Sequence, residues 1–118
     1  MATRVYPLAS NLSGLDYLPE MVERIVQGFH PVRIILFGSR ARGEARPTSD
    51  VDLLVVLPDA NAGDKRKAAI AIRRVLNGVP VSKDIVVTTP AEIKKRGQVI
   101  GLVLRSALRE GKVIYECG

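Results

Sequence analysis

Tryptophan is absent from this 118-residue chain, and phenylalanine and tyrosine together number five. The core must therefore be built from Val, Ile, Leu and Ala, and so few aromatics argue against a stacking platform for single-stranded nucleic acid. There is one cysteine, Cys117, and one histidine, His30. A lone cysteine excludes an intramolecular disulfide and any multi-cysteine zinc site, and His30 has no second His or Cys near it. No apolar run approaches the roughly 20 residues that span a bilayer, and the longest, such as Leu53–Leu57, suit buried strands. The opening MATRVYPLAS lacks an extended apolar stretch, so export is not expected. These exclusions leave a small cytoplasmic domain, with no membrane partner, as the expectation.

With 47% hydrophobic and 25% charged residues the composition is that of a folded globular chain. Its length suits one domain over residues 1–118, with 1–17 a weakly patterned N-terminal segment. The net charge is +6, which favours polyanionic or acidic partners. Arg33, Arg40, Arg42 and Arg46 form one basic group, and Lys94, Lys95, Arg96, Arg105, Arg109 and Lys112 another. The second group reads equally as a solvated helix face, and the turn Gly43–Thr48 around Arg46 equally as a solvated loop.

Leu18–Gly28 carries Leu18, Met21, Val22, Ile25 and Val26 at helical spacing, with Gly28 as the expected C-cap. Val32–Phe37, Asp50–Leu57 and Val81–Val87 are apolar enough to be buried strands. Between the last two, Asp64–Leu76 reads as a helix with Ala68, Ala69, Ile72, Val75 and Leu76 inward. Thr89-Pro90-Ala91-Glu92 is a helix start, combining a capping hydroxyl with Pro at the first helical position. Helices over Pro90–Arg96 and Val99–Glu110 and a short strand Val113–Tyr115 complete the chain. The alternation predicts an α/β (α+β) domain: a mixed sheet with helices packed mainly on one face.

The stretch FGSRARGEARPTSDVDLLVV, Phe37–Val56, carries the chemistry. Gly38 lets the backbone approach a ligand closely, and Ser39 offers a hydroxyl and an amide where a helix N-terminus favours phosphate. Arg40 or Arg42 adds charge to the same anion. Asp50 and Asp52 lie two apart, which on a strand directs both carboxylates to one face. Their mutual repulsion calls for a cation, and Mg²⁺, hard and oxygen-seeking, suits carboxylates combined with substrate phosphates. A third carboxylate would complete a two-metal site, and Asp84, charged within an apolar strand, is the candidate. The bland alternatives for Asp84 are an edge-strand side chain in solvent or an ion pair with Lys83.

Gly-Ser, ten residues and then Asp-x-Asp should arise by chance on the order of once in a thousand chains this long. The segment resembles the corresponding motif of the DNA polymerase beta-like nucleotidyltransferase superfamily, and length and the Ala107–Glu116 ending resemble its minimal branch. The resemblance covers about Leu18 to Glu116. It implies that Gly38 and Ser39 hold a nucleoside triphosphate and that Asp50, Asp52 and Asp84 bind Mg²⁺, as two ions. Asp84 would also help to activate an attacking hydroxyl.

Members of that branch are paired with a helical HEPN-type toxin and inactivate it by adenylylating a tyrosine. The resemblance therefore implies ATP as donor, a HEPN-type protein as partner and an antitoxin role. A non-catalytic module that neutralises its partner by contact is the alternative, and a nucleic-acid-binding domain ranks behind both.

Overall fold

The computed structural model describes residues 2–4, 17–38, 50–59, 63–96 and 111–117. Ser39, Arg40, Arg42, Arg46 and the expected helix Val99–Glu110 lie outside them. In chain order the elements are β1 (Ala2–Arg4), α1 (Leu18–Phe29), β2 (Arg33–Phe37), β3 (Val51–Val56), α2 (Lys65–Val75), β4 (Lys83–Thr88), α3 (Pro90–Arg96) and β5 (Lys112–Cys117). The five strands form one sheet in the order β1-β5-β2-β3-β4. Among the described strands only β3 and β4 run parallel, so the sheet is mixed, as expected for this α/β chain.

Alternation along each strand sorts side chains onto two faces. Ile34, Leu36, Leu53, Val55, Ile85 and Val87 belong to the main core, which they share with Leu18, Met21, Val22 and Ile25 of α1 and Ile72 of α2. Ile35, Phe37 and Leu54, with Val86 against them, form a smaller cluster on the opposite face. The two longer helices thus cover one face, and the other carries the remaining even-numbered positions of β3 and β4. Arg24 on α1 donates to the carbonyls of Val75 and Asn77, supplying a cation and two hydrogen bonds where α2 ends with unpaired carbonyls.

Several boundaries differ from expectation. Gly28 lies within α1, and the C-cap is His30 in the left-handed conformation (φ 48°), its amide bonded to the Val26 carbonyl. Strand β4 begins two residues late, because the Lys83 ammonium folds back onto the carbonyls of Val79 and Val81 and holds that approach as a turn. Val75 is exposed, not inward. Residues 2–4, read as weakly patterned, form β1 by pairing with β5. The Thr89 hydroxyl caps α3 by accepting from the Glu92 amide. Tyr115 is buried, while Cys117 is exposed.

Candidate active site

The site is built where three adjacent strands, β2, β3 and β4, lie side by side. Strand β2 delivers Phe37 and then Gly38, β3 begins at Val51 and β4 at Lys83. Register pairs Phe37 with Asp52 across β2 and β3, and Asp52 with Asp84 across β3 and β4. Phe37, Asp52 and Asp84 therefore stand in one row across the sheet, on the face away from α1 and α2. Asp52 is half-buried and Asp84 exposed.

Gly38 is held at φ +77°, a conformation that a side chain disfavours. A Cβ there would fall on Asp52 Oδ2 and lie 3.0 Å from Asp52 Cγ. The glycine is thus required twice, for its backbone and for the space that the carboxylate fills. The motif's two halves, ten residues apart in sequence, are in direct contact.

Asp50 lies just before β3 and is exposed. It lines an open groove of about 410 Å³ with Arg73, Asn77, Val81, Ser82 and Lys83, without Asp52 or Asp84. The structure thus brings Asp52 and Asp84 together by register and sets Asp50 at a neighbouring groove. Of the two bland readings of Asp84, the pair with Lys83 is not formed, since the ammonium bonds backbone carbonyls instead. The edge position is present, because β4 ends the sheet among the described residues.

A model of the nucleotidyltransferase domain family matches residues 17–114. The chain belongs to this family. The match covers every described element but β1 and the end of β5, so it contains Gly38 and the whole Phe37–Asp52–Asp84 row. Among curated proteins no significant match is found. A crystal structure at 1.40 Å of a Sulfolobus solfataricus protein, described as a candidate nucleotidyltransferase, is similar at a TM-score of 0.62. The identity is 24%, covering 88% of this chain and 81% of that one, a likeness of fold.

For a nucleotidyltransferase the donor set is chemically apt. Mg²⁺ accepts one or two carboxylates and completes its shell with water and phosphate oxygens, so an all-protein cage is not needed. Among the described residues no group of three His, Cys, Asp or Glu forms such a cage. Adjacent carboxylates of Asp52 and Asp84 supply hard oxygens of the required kind on one face. Sequence reading had no means to find Arg73 and Asn77 beside Asp50, because only tertiary packing brings the end of α2 there.

Proposed function

We propose that this nucleotidyltransferase transfers AMP from ATP to a tyrosine hydroxyl of a helical HEPN-type protein, in the cytoplasm, and so acts as its antitoxin. The observation that supports the reading is Asp52, set against Gly38 of the same motif and paired in register with Asp84 on the neighbouring strand. Gly38 and Ser39 would receive the triphosphate at the end of β2, with Arg40 and Arg42 adding positive charge. Asp52 and Asp84, with Asp50 beside them, would hold Mg²⁺. The ion supplies charge neutralisation on the phosphates and lowers the barrier to attack at phosphorus.

In the transfer itself the tyrosine oxygen bonds to the α-phosphorus as the bond to the bridging oxygen of the β-phosphate breaks, and pyrophosphate departs. Asp84, exposed on β4, would accept a hydrogen bond from the attacking hydroxyl and take its proton. Asp52, half-buried and braced against Gly38, has little freedom and would keep its carboxylate oxygens fixed as Mg²⁺ ligands.

A contact-only antitoxin is the second reading, and Asp50 favours it by lining a groove that neither Asp52 nor Asp84 lines. Co-expression with the HEPN-type partner separates the two. Mass spectrometry is expected to show AMP on a partner tyrosine, lost in Asp50→Asn/Asp52→Asn. A partner left unmodified yet fully neutralised by that double variant would establish the contact-only reading.

A further inference from the structure

Helix α2, KRKAAIAIRRV, carries five cations and no acid. Its outer face has an unusual pattern. Ile70 is 49% exposed, and the residues at its i−4, i−3, i+3 and i+4 positions are Arg66, Lys67, Arg73 and Arg74. These are the four neighbours that surround a side chain on a helix surface. All four are exposed. An apolar centre is thus ringed by positive charge.

A merely solvated helix face mixes signs, as α1 does with its Glu20–Arg24 ion pair and its Glu23–Gln27 hydrogen bond. On α2, Lys65 pairs with Glu92, whereas among the described residues Arg66, Lys67 and Arg74 have no carboxylate partner. Arg66 and Lys67 also occupy the first turn, where the helix dipole favours acids and opposes cations. Asp64 offsets this in part by accepting from the amides of Arg66 and Lys67. Residues that oppose local stability and expose an isoleucine point to a use outside the fold.

We infer that the Ile70 face of α2 is a docking surface for a protein partner whose own surface is acidic around an apolar pocket. An apolar centre within a charged rim is the anatomy of a protein interface, whereas a phosphate backbone has no use for Ile70. A second copy of this +6 chain meeting the same face would set cation against cation. The face also adjoins the candidate site. Arg73 donates to the carbonyl of Lys83, next to Asp84, and lines the groove that holds Asp50. A partner seated on α2 is held beside the acids, so the inference rests on the reading of the site proposed above.

The test uses the full chain and the purified HEPN-type acceptor of that reaction, with binding and AMP transfer measured separately. Arg66→Glu/Lys67→Glu and Ile70→Ser are expected to weaken binding at least about tenfold. Wild-type affinity should fall with added salt, and the charge-reversed protein should lose most of that dependence. Transfer should show a raised KM for the partner with kcat unchanged. The charge reversal places acids in the first turn of α2, so its melting temperature should hold or rise, which excludes unfolding as the cause.

Wild-type affinity retained in both variants would overturn the docking face and leave the site reading intact. Binding through α2 without any AMP transfer would retain the face and remove the site reading. No binding by wild type, or binding of duplex RNA or anionic vesicles that depends on the same residues, would also overturn the inference.

Discussion

Gly38 is where local backbone and chemistry meet. Its positive φ alone makes alanine cost about 1–2 kcal/mol. The added methyl must also displace the Asp52 carboxylate, which cannot retreat freely because it sits half-buried at the start of a central strand. Gly38→Ala is therefore expected to lower the melting temperature by several degrees and, separately, to remove most of the stabilisation by Mg²⁺-ATP. Thermal melts with and without nucleotide check both effects. A variant that loses stability but keeps the full nucleotide shift would show that Mg²⁺-ATP binding does not depend on the position of the Asp52 carboxylate.

At the scale of elements, α2 illustrates how a cap and a charge pattern can oppose each other. Asp64 accepts from two amides of the first turn while Lys65, Arg66 and Lys67 follow it. Asp64→Ala should cost about 1 kcal/mol through the cap, with a further loss from unopposed cations at the dipole's positive end. Asp64→Asn keeps the acceptor and removes the charge. Its smaller penalty should vanish at high salt, whereas that of Asp64→Ala should persist. Urea unfolding at two ionic strengths distinguishes them, and equal penalties for both variants at every salt concentration would contradict the account.

The same elements show what is readable in a sequence and why. Strands β2, β3 and β4 are legible because apolar β-branched runs between turn residues have few other uses. The start of α3 is legible because Thr89 and Pro90 are local signals for a helix start. β1 is not, since three residues without a pattern become a strand only when β5 arrives from the far end of the chain. The left-handed cap at His30 is uncommon for a residue with a side chain, and Gly28 offers the stronger local signal two residues earlier. In the site, Gly38, Asp50 and Asp52 are readable as a motif, but the contact between Gly38 and Asp52 needs strand register. The basic ring around Ile70 escapes a linear scan because its members are grouped by helical spacing and not by adjacency.

The whole molecule carries +6, and this charge would attract ATP with or without a built site. The two cases differ in their dependence on metal. Diffuse attraction to surface cations needs no Mg²⁺ and weakens when Mg²⁺ neutralises the phosphates. A triphosphate placed beside Asp52 and Asp84 instead meets two carboxylates, and the repulsion is relieved only by a divalent cation between them. At a concentration near 100 times Kd, binding to the folded chain alone should add about 2.7 kcal/mol of stability. The expected pattern is thus a clear melting shift with ATP and Mg²⁺ together and little with ATP and a chelator. Asp52→Asn and Asp84→Asn should each reduce the shift obtained with both. Thermal unfolding at fixed ionic strength reads all of these. A shift as large in the chelator, or one untouched by either substitution, would assign the nucleotide to surface charge and remove the acid pair from its site.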